Sequence, residues 1–204
     1  MKVALIYLAA GNSRRFGKGN KLLWPIEGKR MYLHLLERLK RIENRHSEWE
    51  LLVVTQYPEI IEEAGKSGVK TVFSPESFKG ASWTVKKALE AAGAMDAYVF
   101  FVADQPYLSE KTAEEFLEYM EKSGEEGLGC VCCEERTGNP VWFAQKYVSE
   151  LLELEGDSGG KKVLKKHWDD AVFFQISNER ELEDVDIWDS ELNQNAAINS
   201  LQLL

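Results

Sequence analysis

Short apolar runs bounded by polar turns alternate along this chain with stretches of helical periodicity, and that alternation constrains the fold more than any other feature. Strand-like runs fall at 2–9, 51–55, 69–73, 97–102, 129–133, 140–143 and 171–175. Helical patterns fall at 30–43, 59–66, 82–92, 109–122, 145–154 and 158–167, several opened by a Ser or Asp suited to an N-terminal cap. Such alternation predicts βαβ units and a mainly parallel sheet. Ligands of open parallel sheets sit at the carboxyl ends of strands, which directs attention to the loops after Ala9, Thr55, Phe73 and Val102.

With 204 residues, the expectation is one compact domain. No apolar run approaches the roughly 20 residues of a bilayer span, and the apolar start at 3–10 breaks at once into Gly11-Asn12-Ser13-Arg14-Arg15, so it reads as a strand and not a signal peptide. No membrane is expected. A net charge of −9 argues against nucleic acid as partner, because that binding rests on basic surfaces. A phosphate-bearing ligand must then be met locally, by the cluster Arg14, Arg15, Lys18 and Lys21.

Cys130, Cys132 and Cys133 crowd into one short strand, without the paired spacing of zinc sites, and read as core packing in a reducing cytoplasm. His34, His46 and His167 form no metal pair and no nucleophile triad. The polar, acid-rich stretch 178–189 leads to a weakly apolar tail, 196–204, expected to be a helix packed back on the sheet or against a partner.

Three segments carry chemistry. The first loop, residues 8–23, sets small residues after a buried strand, with Gly11 and Gly17 at turns and Arg15 and Lys21 bringing charge. Its physics is that of a triphosphate cradle, although a surface loop with incidental basic residues has the same composition. Its spacing matches neither the dinucleotide fingerprint nor the P-loop. Asp104 ends a buried strand and precedes Gln105-Pro106, which fixes a carboxylate at the sheet edge. It suits a magnesium ion, or equally a cap for the helix that begins near Ser109. The stretch Gly156-Asp157-Ser158-Gly159-Gly160-Lys161 opens a helix with free backbone N–H groups, able to hold an anion or simply to start a capped helix.

Read in order, Leu8-Ala9-Ala10-Gly11 with Ser13 and Arg15 and the following Lys21-Leu22-Leu23 resemble the MobA-like NTP transferase family, and within it the molybdenum cofactor cytidylyltransferases. Gly80-Ala81-Ser82-Trp83-Thr84 resembles the family's base-side segment, Ala103-Asp104-Gln105-Pro106 its metal motif, and Gly138-Asn139-Pro140-Val141 its G-H-P-V. Gly156 to Lys161 is similar to G-D-x-G-A-R, with Gly160 and Lys161 replacing alanine and arginine. Asp184-Val185-Asp186 stands at the closing acidic segment, although Ile187-Trp188-Asp189 departs from its continuation.

The resemblance implies a Rossmann-like, three-layer α/β/α nucleotidyltransferase of the nucleotide-diphospho-sugar transferase type. Residues 1–105 would mainly bind nucleotide and 106–204 mainly acceptor. It implies Arg15, Lys21 and Asp104 as catalytic residues, with Leu8, Ala9, Ala10, Gly11, Ser13, Gly80 and Ser82 on the nucleotide. Asp104 and Asp186 would hold Mg²⁺, and Asn139, Asp157, Gly159 and Lys161 would meet the acceptor. The implied reaction moves CMP from CTP to the terminal phosphate of a molybdopterin-type cofactor, with pyrophosphate released. GTP, or a sugar or isoprenoid phosphate acceptor, are the nearest alternatives. A non-catalytic carrier for a molybdenum hydroxylase is the alternative of another class, and transient contact with such a hydroxylase is expected in either case.

Overall fold

The computed structural model describes residues 1–13, 19–123 and 127–185, so Arg14, Arg15, Lys18, Asp186 and the 196–204 tail lie outside the described residues. In chain order the strands are β1 Val3–Leu8, β2 Pro25–Ile26, β3 Lys29–Arg30, β4 Trp49–Thr55, β5 Lys70–Phe73, β6 Ala97–Val102, β7 Leu128–Cys133, β8 Arg136–Ala144 and β9 Val172–Gln175. The α-helices are α1 Met31–Glu43, α2 Pro58–Lys66, α3 Ala81–Ala92, α4 Glu110–Lys122, α5 Val148–Leu152 and α6 Lys161–Lys166.

Seven strands form one sheet in the order β5-β4-β1-β6-β8-β7-β9. All neighbours pair in parallel except β8, which runs antiparallel to both β6 and β7. Successive residues of β1 point to opposite faces, and both faces are apolar, as a strand buried under helices on two sides requires. Val3, Leu5 and Tyr7 join Leu35 and Leu39 of α1 and Phe116 of α4 in one core. Ala4 and Ile6 join Val85 and Leu89 of α3, Leu151 of α5 and Leu164 of α6 in the other. The sequence expectation of a three-layer α/β/α fold on a mainly parallel sheet is met.

The boundaries moved for physical reasons. The 82–92 helix begins at Ala81 after Gly80, which takes a φ of +144° that an L side chain resists. The 145–154 pattern splits into a 3₁₀ turn, Gln145–Tyr147, and the short α5. The last pattern narrows from 158–167 to α6. Sequence reading missed the β2–β3 hairpin, whose turn residues Glu27 and Gly28 both have positive φ, as a two-residue primed turn needs. All three cysteines are buried, Cys130 facing one core and Cys133 the other. Burial pushes the Cys130 thiol up to about 12, far from reactive thiolate character.

Candidate active site

Strands β1 and β6 lie side by side with Leu8 opposite Val102, so the first loop and the Ala103–Pro106 turn leave the sheet at the same edge. Between them opens a cavity of about 220 Å³, lined by Leu8, Ala10, Gly11, Lys21, Thr84 and Asp104 among others. Lys21, on a 3₁₀ turn capped by the side chain of Asn20, reaches across it. Its Nζ donates to Asp104 Oδ2 at 2.8 Å; the lysine side chain is 7% exposed and the carboxylate 27%. Two residues 83 positions apart thus meet as an ion pair at the strand ends.

The first loop is tethered from the end of β4 and the loop that follows it. Thr55 Oγ1 donates to the Ala9 carbonyl at 2.6 Å, Gln56 Nε2 to the Ala10 carbonyl at 2.7 Å, and the Tyr57 hydroxyl to the Gly11 carbonyl at 2.6 Å. In a trans peptide the N–H points opposite to its C=O, so three anchored carbonyls turn the N–H groups of Ala10, Gly11 and Asn12 the other way. Gln56 also donates to Asn12 Oδ1, Asn12 donates to the Phe78 carbonyl, and Lys21 N–H donates to Ser13 Oγ at 3.1 Å. Burial raises the Tyr57 phenol pKa, so it remains a donor.

A second cavity, of about 360 Å³, shares Leu8, Ala81, Val102 and Asp157 with the first. Phe100, Val141 and Phe143 give it apolar walls. All four residues expected on the acceptor, Asn139, Asp157, Gly159 and Lys161, line it. The Asn139–Pro140 peptide bond is cis.

Of the residues expected on the nucleotide, Leu8, Ala10 and Gly11 line the first cavity, while Ala9 is fully buried behind them. Ser13 meets the Lys21 backbone. Gly80 and Ser82 stand apart. The Ser82 hydroxyl, buried, donates to the Gly156 carbonyl at 2.9 Å, and Gly80 packs against the same peptide. The neighbours Ser77, Ala81 and Thr84 line the cavity instead. Sequence reasoning passed over them, and also over Thr55, Gln56 and Tyr57, whose partners are remote in the chain.

A clasp closes the edge beside Asp104. Val185 N–H donates to the Asp104 carbonyl at 2.8 Å, Arg136 donates to the Leu182 carbonyl at 2.8 Å, and the buried Gln105 side chain donates to the same carbonyl at 3.4 Å. Asp184 and Val185 therefore end the described chain next to the site, with Asp186 beyond the described residues. Away from it, His46, Glu114 and Glu118 bring ligand atoms within 4.8 Å of one another, but Arg45 already binds Glu114 at 2.8 Å and His46 stacks on Trp49. His34 and His167 likewise serve local contacts, to the Ile26 carbonyl and to Glu150.

Residues 5–172 match the MobA-like NTP transferase domain. The chain belongs to the MobA-like NTP transferase family. No curated relative matches the sequence. Among solved structures, a nucleotidyl transferase from Methanothermobacter thermautotroptrophicus superposes with a TM-score of 0.78 at 18% identity, covering 98% of this chain and 99% of the other. A CMP:2-keto-3-deoxy-manno-octonic acid synthetase complexed with CTP gives 0.74 at 14% identity, covering 98% and 100%. Rv0371c from Mycobacterium tuberculosis, complexed with manganese, gives 0.68 at 18%, covering 97% and 100%. Family and fold are those of nucleotidyltransferases. Among the described residues, no helix is long and apolar enough to cross a membrane.

Proposed function

We propose that this family member transfers CMP from CTP to the terminal phosphate of a molybdopterin-type acceptor in the cytoplasm. The observation that carries the reading is the Lys21–Asp104 pair on a cavity that shares a wall with a second one. The nucleotide would take the first cavity. Its phosphates would meet Lys21, Arg15 and the N–H groups turned inward by the Thr55–Tyr57 tethers. The acceptor would take the second, its ring body against Phe100 and Phe143 and its phosphate near Lys161.

A terminal phosphate oxygen of the acceptor attacks the α-phosphorus, a new P–O bond forms in line, and the bond to the bridging oxygen breaks as pyrophosphate leaves. The nucleophile is already ionised near neutrality, so positioning and charge neutralisation dominate. Asp104 offers hard carboxylate oxygen at the cavity, a donor set that fits magnesium. When bound, the ion supplies Lewis-acid stabilisation of phosphoryl charge. Asp104 would hold it, with Asp186 as the second carboxylate, a role supported by the Val185–Asp104 backbone bond just before it. Ala9-Ala10 in the first loop supports CTP over GTP, since the Ala10 Cβ occupies space at the cavity wall. The pairing of Lys21 with Asp104 favours a working enzyme over a carrier.

The test is pyrophosphate release with CTP, Mg²⁺ and molybdopterin. Turnover above that with GTP supports the proposal, as does loss of turnover on chelation of the metal. Turnover only with GTP, or only with a sugar or isoprenoid phosphate, transfers the protein to those alternatives. Tight CTP binding without turnover on any acceptor makes it a carrier.

A further inference from the structure

Ser82 sits in the first turn of α3 beside the first cavity, yet its side chain enters neither cavity wall. It is 1% exposed. Its hydroxyl and its backbone N–H both donate to one acceptor, the Gly156 carbonyl, at 2.9 and 3.1 Å. The two residues are 74 positions apart. Gly80 closes the same contact from the other side. A Cβ built there would lie 2.3 Å from the Gly156 oxygen and 2.9 Å from the Asp157 nitrogen, an overlap with backbone that no rotamer relieves.

The residue after Gly156 is Asp157, which lines both cavities, and Gly159 and Lys161 follow on the wall of the second. The contact therefore fixes the loop that carries three of the four candidate acceptor residues. It does so from the helix whose first residue, Ala81, lines both cavities. We propose that Gly80 and Ser82 form a staple seating residues 156–161 against the nucleotide cavity, so that Ser82 is a positioning residue for the acceptor and not a contact to the base. This rests on the nucleotidyl-transfer reading of the two cavities.

Two donors on one carbonyl match its two lone pairs, and removal of the hydroxyl leaves the backbone bond in place. Ser82→Ala is therefore expected to fold but to loosen the loop, with reach over the acceptor side only. The decisive experiment combines three readouts on wild type and Ser82→Ala. These are amide hydrogen exchange across 153–161, CTP binding with Mg²⁺ by calorimetry, and steady-state KM values for CTP and molybdopterin from pyrophosphate release. The staple predicts faster exchange at 156–160, a CTP Kd within about twofold of wild type, and a molybdopterin KM raised about five- to tenfold. Gly80→Ala, which forces the same peptide away, is expected to give the same split.

A CTP Kd raised tenfold with unchanged exchange would make Ser82 a nucleotide contact and overturn the proposal. Faster exchange with unchanged acceptor KM would reduce the contact to local stability and overturn it equally. If wild type turns over a different acceptor, the functional reading fails while the split between CTP and that acceptor still decides the staple. If it turns over none, the functional reading fails and the acceptor role of the staple fails with it, whatever the exchange shows.

Discussion

Replacing Asp104 by asparagine separates catalysis from stability, because the two costs have different sizes. The substitution keeps shape and one oxygen that still accepts from Lys21 Nζ, but removes the negative charge. Removing one partner of a fully buried pair costs about 3–5 kcal/mol. Here the carboxylate is 27% exposed and the amide oxygen remains, so a loss of about 1–2 kcal/mol is expected. For a chain of this length that lowers Tm by roughly 2–8 °C. A domain with the usual stability of about 5–15 kcal/mol stays folded at assay temperature. Turnover, by contrast, is expected to fall at least about a hundredfold, equivalent to about 2.7 kcal/mol of lost transition-state stabilisation. The assay is pyrophosphate release at saturating Mg²⁺, beside a thermal melt of the same preparation. Near-wild-type turnover would refute the metal role, and a Tm drop beyond about 15 °C would show that Asp104 serves mainly the fold.

Other expectations follow the same geometry. Lys21→Ala and Arg15→Ala are each expected to depress kcat more than they raise KM for CTP; a change in KM alone would make the residue a capture group. Ala10→Gly should narrow a CTP-over-GTP preference of about ten- to two-hundredfold without inverting it, measured as the ratio of kcat/KM values; an equal wild-type ratio would show that this loop does not choose the base. Cys132→Ser and Cys133→Ser should leave turnover within a few-fold, and a collapse of activity without loss of stability would show that these thiols do chemistry. Hydrogen bonds from Arg41 to Glu110 and from Arg45 to Glu114 hold both carboxyls below their ordinary pKa. Their stabilisation is thus present above the unfolded carboxylate pKa and lost as pH falls through the lowered one. Arg45→Ala should lower the neutral end of a Tm-against-pH profile and leave the most acidic end nearly unchanged, so that the acid limb flattens.

The layers and the central strands were legible because β1, β4 and β6 are buried and read as apolar runs, whereas their order in the sheet leaves no mark in the sequence. The place of Asp104 at the sheet edge was legible because a charged residue stops an apolar run just before Gln105-Pro106, and the structure sets it on the cavity there. What stayed hidden lies in contacts between segments. Thr55, Gln56 and Tyr57 act on carbonyl groups 46 residues away, and a carbonyl leaves no mark in the sequence. Gly80 and Ser82 have the look of a ligand loop, and only the position of Gly156 shows which peptide they grip. The β2–β3 hairpin is too short for periodicity and was betrayed by Glu27-Gly28 alone.

The reversed strand β8 has a further consequence. Its four central-sheet partners, Ala97 to Phe100 opposite Val141 to Ala144, are the whole ladder joining a block built by residues before 103 to a block built by residues after 127. Because β8 runs backward, its beginning and not its end arrives at the edge where β1 and β6 finish, which is how Asn139 comes to stand beside Val102 on one cavity wall. The two blocks share both cores all the same, with Cys133, Trp142 and Leu182 packed beside Val3 and Tyr7 on one face and Phe143, Leu151 and Leu164 beside Ala4 and Ile6 on the other, so the reversal of one strand joins them without dividing the hydrophobic interior.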